Sequence, residues 1–118
     1  MRSEAARHAR LEGSSVLIVE DWFLVAEEVR DMLESVGARV LGPASSVASA
    51  MNELRRERPD AAVLDVSLDE GDVFPFARTL LEERVPFIFM TGHAGEDVFP
   101  PEFRALPCLK KPVNAEEL

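Results

Sequence analysis

Glu20, Asp21, Asp65, Thr91 and Lys111 share one kind of position: each lies just past an apolar run. Val16-Leu17-Ile18-Val19 ends in Glu20-Asp21, and Ala61-Ala62-Val63-Leu64 ends in Asp65. Phe87-Ile88-Phe89-Met90 ends in Thr91-Gly92, and the short Cys108-Leu109 stretch ends in Lys110-Lys111-Pro112. Apolar runs of about four residues read as buried strands of a parallel sheet. In open α/β sheets, ligands bind beyond the carboxyl ends of such strands. Three carboxylates, a hydroxyl and an ammonium are therefore expected to meet at one edge. A carboxylate so placed can attack phosphorus and form an aspartyl phosphate. Phosphoryl transfer then asks mainly for positioning and charge neutralisation.

Taken singly, each residue has a plainer reading. Asp21 could cap a following helix with Glu20 solvated; Asp65 could be a turn residue, although the apolar strand before it shelters its carboxylate at a cost. Lys111 would be surface charge and Thr91 a strand-end hydroxyl before a glycine. Together they explain one another. Converging carboxylates repel, and a hard divalent cation removes that conflict; oxygen ligands in a site open to water suit Mg²⁺. His93 and Cys108 are the only nitrogen or sulfur ligands near these strand ends, so zinc and copper are not expected. Mg²⁺, Lys111 and the Thr91 hydroxyl would supply the cation, the second positive group and the small donor. Intervals of 44 residues from Asp21 to Asp65, 26 more to Thr91 and 20 more to Lys111 fit successive strand–helix units.

The intervening segments supply those units. A helix is expected from about Trp22 to Val36, with Val25, Val29, Met32, Leu33 and Val36 on one stripe and Gly37 closing it. A second strand over Ala38–Leu41 should stop at Gly42-Pro43. Ser45 or Ser46 can cap a second helix carrying Val47, Ala50, Met51 and Leu54 inward, with Arg55, Arg56 and Arg58 at its end and Pro59 beyond. The third strand covers Ala61–Val66, Asp69–Asp72 forms a turn, and a third helix runs from Phe74 to Glu83 with Pro75 in its first turn. Pro86–Met90 is the fourth strand. Pro100-Pro101 limits residues 93–106 to a short helix starting near Pro101. Leu109 and its neighbours form the fifth strand, and Asn114 caps a helix still unfinished at Leu118. Alternating strands and helices imply a right-handed, mostly parallel sheet covered on both faces.

A chain of 118 residues with 47% hydrophobic residues suits one compact domain. Residues 1–14 read as an N-terminal tail or linker, and 15–118 as the domain. The net charge of −9, from 13 basic and 22 acidic residues, argues against direct nucleic-acid binding. One cysteine excludes an internal disulfide. Without an 18-residue apolar stretch or a signal-peptide core, no membrane association is expected and the cytoplasm is the expected compartment.

With these residues in place the sequence resembles the receiver (response-regulator) domain family over about residues 15–118. The carrying motifs are Val16-Leu17-Ile18-Val19-Glu20-Asp21, Asp60-Ala61-Ala62-Val63-Leu64-Asp65-Val66, Met90-Thr91-Gly92 and Lys111-Pro112. The resemblance implies a flavodoxin-like, doubly wound five-stranded parallel sheet of order 2-1-3-4-5, here with helix 4 short or irregular and helix 5 truncated. It implies that Asp65 accepts a phosphoryl group from a histidine kinase or phosphotransfer protein. It further implies that Asp21 binds Mg²⁺ directly, Glu20 through water, and Asp65 together with the main-chain carbonyl of Ser67. Lys111 would pair with a phosphoryl oxygen and Thr91 would move to hydrogen-bond it. Such a domain is no enzyme in the usual sense: it phosphorylates and dephosphorylates itself with Mg²⁺ and signals through protein contacts, with homodimerisation left open.

Pro86–His93 looks like the FAT-GUY subgroup, with Met90 in place of its usual alanine and His93 in place of its usual tyrosine. Gly42-Pro43-Ala44 and Asp65-Val66-Ser67-Leu68 also look like receivers of that kind, which are single-domain or kinase-attached bacterial regulators. Ordinary receivers carry Tyr or Phe three residues before the lysine; Cys108 stands there, so the usual aromatic switch is absent, and signalling is expected to run through order in residues 93–106. Trp22, Phe23, Ala26 and Arg30 are the expected partner-docking flank of the first helix. Two further readings stand beside this one. A pseudo-receiver would serve only as scaffold or dimerisation module. A Mg²⁺-dependent phosphohydrolase would want a general acid two residues after Asp65, where Ser67 stands.

Overall fold

The computed structural model describes residues 12–68, 71–91, 99–103, 106 and 108–110. The apolar runs do form the central sheet. β1 (Ser15–Val19) pairs in parallel with β2 (Arg39–Ala44) on one side and β3 (Ala61–Asp65) on the other. β3 pairs with β6 (Phe87–Thr91), and β6 with β7 (Cys108–Lys110), again in parallel. The spatial order is β2-β1-β3-β6-β7. Numbering these five strands alone along the chain gives 2-1-3-4-5, the flavodoxin-like order expected.

Alternation along each strand sends side chains to two different cores. Val16 and Ile18 meet Val29 and Leu33 of α1 (Phe23–Ser35), joined by Val63, Met90 and Leu109. Val25 and Met32 of the same helical stripe are partly buried against that cluster. Leu17 and Val19 face the other way. They join Ala50 and Leu54 of α2 (Val47–Arg56) and Phe76, Ala77 and Leu80 of α3 (Phe74–Glu82). Helices therefore lie on both faces, which is why strand residues of either facing, such as Ile18 and Leu64, are apolar and fully buried.

Local chemistry sets the helix ends. Ser46 caps α2, accepting from Ser49 N at 3.1 Å, while Ser46 N donates to Ser49 Oγ at 3.1 Å. Asp72 Oδ1 accepts from Phe74 N at 3.1 Å ahead of α3, whose first turn holds Pro75. Ser15, a buried polar residue, is satisfied at the amino edge: Asp60 Oδ2 accepts from its main-chain N at 2.8 Å and its hydroxyl at 3.2 Å.

Three segments depart from the sequence expectation. β2 does not stop at Gly42-Pro43 but continues to Ala44. The Gly42-Pro43 peptide is cis, Gly42 has φ +85°, and the pairing with β1 shifts register between Leu17 and Val19. An edge strand tolerates this proline because one side of its ladder is unpaired. β3 ends at Asp65, one residue early, and a small antiparallel hairpin follows: β4 (Ser67–Leu68) pairs with β5 (Gly71–Asp72). Residues expected to form only a turn thus include a strand. Among the described residues of the 93–106 segment, Pro101–Phe103 makes a single 3₁₀ turn, the short helix near Pro101 that the double proline implied. The expected helix after Asn114 and residues 1–11 of the expected 1–14 tail lie outside the described residues.

Candidate metal centre

The acidic residues are brought together where β1 and β3 end side by side, because Val19 pairs with Leu64. One carboxylate oxygen from each of Glu20, Asp21 and Asp65 lies within 4.8 Å of the others. Glu20 and Asp65 are 2% and 1% exposed, and Asp21 is half-buried. In a medium of effective dielectric constant about 20, two unit charges that close repel by roughly 3.5 kcal/mol. The set offers only oxygen, at the spacing a hard divalent ion spans, and among the described residues no imidazole or thiol joins it. The donor chemistry fits Mg²⁺ and does not fit zinc.

Main-chain bonds hold these acids in place. Glu20 N donates to Ala44 O at 2.9 Å, so the end of β2, rejoined to β1 after the register shift, anchors the residue. Trp22 N donates to Glu20 Oε1 at 2.9 Å, tethering the carboxylate itself. Asp21 does not cap α1: the N-cap is Trp22, extended at φ −89° and ψ 108°, with no side-chain capping bond.

Thr91 is the last residue of β6 and is 5% exposed. Asp65 pairs with Met90 in the β3–β6 register, and Val66 N donates to Met90 O at 3.0 Å, so Thr91 ends the strand beside Asp65. Lys111 lies outside the described residues; the strand it follows ends at Lys110, opposite Thr91. Ser67 stands in β4, two residues beyond Asp65 and paired with Asp72. His93 is outside the described residues, and Cys108 is exposed at the start of β7.

The flank of α1 differs in part from expectation. Trp22 and Phe23 are each 69% exposed. Ala26 is buried at 1%, beneath the helix and not on its outer flank. Arg30 is half-buried, with Glu27 at 3.5 Å and Glu34 at 3.8 Å. Leu24, which sequence reasoning passed over, is 73% exposed and extends the apolar tip. Its signal was available: Leu24, Glu28, Asp31 and Ser35 fall at i, i+4, i+7 and i+11, the spacing of one helix face, and the other three are polar.

Comparisons with known proteins bear on the whole arrangement. Residues 16–118 match the family described as the response regulator receiver domain. The sensory transduction protein LytT of Bacillus cereus is 30% identical over 106 residues, covering 87% of this chain and 43% of that protein. The chain thus spans less than half the length of that curated relative. The solution structure of the BeF₃-activated conformation of SdrG from Pseudomonas melonis Fr1 is similar with a TM-score of 0.74. It shows 36% identity and 87% coverage of both chains. The signal receiver domain of a modulated diguanylate cyclase from Desulfovibrio desulfuricans G20 gives a TM-score of 0.77. It is 36% identical and covers 89% of this chain and 86% of that one.

Proposed function

Because this chain belongs to the response regulator receiver domain family, we propose that Asp65 is its phosphoryl acceptor and that the module relays a two-component signal. The observation that carries this reading is the convergence of Glu20, Asp21 and Asp65 within 4.8 Å, with Asp65 buried at the end of β3. The similarity to SdrG, solved in a BeF₃-activated conformation, supports it, since beryllofluoride on a carboxylate copies the shape of a phosphoryl group.

A carboxylate oxygen of Asp65 attacks the phosphorus of a phosphohistidine on a histidine kinase or phosphotransfer protein. The P–O bond forms as the P–N bond breaks, and the electron pair returns to the imidazole. Asp21, Asp65 and the main-chain carbonyl of Ser67, with Glu20 through water, would hold a Mg²⁺ ion, whose positive charge would offset the negative charge of the phosphoryl oxygens. Thr91 donates its hydroxyl hydrogen bond to one phosphoryl oxygen, and the Lys111 ammonium pairs with another. Ser67, small and two residues beyond Asp65, leaves room for water. Attack by that water releases inorganic phosphate and restores the carboxylate. The chain is thus a self-modifying switch with no external substrate turned over. It acts in the cytoplasm, through contacts with other proteins. Among the described residues no helix is long and apolar enough to cross a membrane.

Incubation with acetyl phosphate and Mg²⁺, followed by intact mass, tests the proposal. One added phosphoryl group, absent from Asp65→Asn and absent with a chelator, is expected. No adduct would favour a scaffold role, and sustained phosphate release over many turnovers would favour a hydrolase.

A further inference from the structure

Glu20 is a long, flexible side chain held almost wholly out of water. A glutamate has three side-chain torsions to fix, and ordering them costs conformational entropy. Two main-chain contacts act against that freedom. Ala44 O accepts from Glu20 N, which sets the backbone. Trp22 N donates to Glu20 Oε1 at 2.9 Å, which sets the carboxylate. This second bond is charge-assisted, the stronger class of hydrogen bond. It spans only two residues, so it forms wherever the turn between β1 and α1 keeps its shape. The turn keeps its shape because Trp22 is the N-cap of α1, and Trp22 O accepts from Ala26 N at 2.9 Å in the first helical turn.

We propose that the main-chain N–H of Trp22 is a positioning group for the cation site: it holds the Glu20 carboxylate in register with Asp21 and Asp65. This rests on the reading of that site as a Mg²⁺ centre and adds a role for a backbone atom of the residue that follows the acidic pair. Trp22 then has two separable parts. Its amide donates to Glu20, and the residue is otherwise 69% exposed, so its indole is largely in solvent. Side-chain truncation leaves the amide in place, whereas proline deletes the N–H and holds φ at about −65°, a modest turn from the observed −89°. Hydrogen bonds that orient metal-binding carboxylates typically govern affinity by about ten- to a hundredfold.

The test uses the full chain with Mg²⁺ alone as probe, followed by amide NMR shifts of Asp65 and Thr91. Trp22→Pro is expected to bind Mg²⁺ at least about tenfold more weakly than Trp22→Ala. Equal affinities in the two variants would overturn the proposal. If Trp22→Pro fails to fold, hydrogen exchange of the Trp22 amide decides instead, in the unaltered chain and in Glu20→Ala. Protection lost in Glu20→Ala supports the tether, and identical exchange refutes it. Absence of Mg²⁺ binding by the unaltered chain would strike at the metal-site reading instead, and the exchange measurement would still decide whether the amide holds Glu20.

Discussion

Phe89 of β6 and Phe103 of the 3₁₀ turn meet edge to face, 5.5 Å between ring centroids, and both are fully buried. Phe89 lies two residues before Thr91, on the same face of the strand. Phe103 also stacks on Phe74 at 5.6 Å, Phe99 meets Phe89 at 5.3 Å, and Arg78 reaches over the Phe103 ring while its Nη2 pairs with Glu102 at 2.6 Å. Aromatic packing thus pins the 99–103 segment to the strand that ends at Thr91. Phe103→Ala should destabilise the fold by about 3–5 kcal/mol in denaturant titration. With beryllofluoride and Mg²⁺, amide exchange should change across residues 93–106; identical protection would remove this segment from the signalling route.

Gly42→Ala should weaken both the fold and the cation site. Gly42 has φ +85°, and an added Cβ would sit 2.7 Å from Ala44 N and 3.0 Å from Ile18 O, both backbone atoms. The cost should be about 1–3 kcal/mol. Displacing Ala44 also disturbs its carbonyl, the acceptor for Glu20 N, so Mg²⁺ affinity measured by NMR titration should fall with stability. A variant that melts earlier yet binds Mg²⁺ normally would uncouple β2 from the site.

Acid should loosen the amino edge of the sheet. Arg39 and Glu57 form a two-pronged pair, one prong at 3.1 Å. The hydrogen bond to Arg39 is the main cause that holds Glu57 below its ordinary value; the same bond raises Arg39. A depressed carboxyl value means that the contribution is present above the unfolded glutamate's range and is lost as pH falls through the folded value. Arg39 stays charged throughout that window. The pair lies at the surface, with Arg39 exposed and Glu57 only half-covered, so the effect is small and screened by salt. The fall in Tm between neutral pH and pH about 3 should be smaller in Glu57→Gln than in the unaltered chain, and the difference should shrink in high salt.

Truncating the exposed tip of α1 should cost transfer and not stability. Trp22→Ala removes an indole that makes no capping bond and is 69% exposed, so stability should change by no more than about 0.5 kcal/mol. If the tip docks the phosphodonor, loss of a tryptophan anchor should cost about 2 kcal/mol or more in binding. Phosphotransfer from a histidine phosphodonor should slow accordingly, whereas modification by acetyl phosphate should keep its rate. Equal slowing with both donors would move Trp22 from docking to the site itself.

Much of this architecture was legible from residue types. Strands such as Val16–Val19 and Ala61–Leu64 announce themselves because burial on both faces demands unbroken apolar runs, and the polar residues at their ends follow from that. β2 was harder: Gly42 and Pro43 usually break a strand, and only the edge position, a tertiary fact, lets pairing resume at Ala44. The β4–β5 hairpin left no mark because two-residue strands are too short to show alternation. Ala26 was expected on the outer flank and is buried instead: helical phase, with Ala26, Val29 and Leu33 at i, i+3 and i+7, outweighs hydrophobicity in deciding which side faces the sheet. The main-chain tether on Glu20 was invisible, since a backbone donor carries no residue signature.

The most direct test of the central claim is chemical trapping at position 65. The full chain is treated with acetyl phosphate and Mg²⁺, reduced with borohydride, digested and mapped by mass spectrometry. Reduction of an aspartyl phosphate yields homoserine, and the account predicts that product at position 65 and its loss when Mg²⁺ is chelated. Homoserine at position 21, or an unmodified Asp65 under the same treatment, would contradict it.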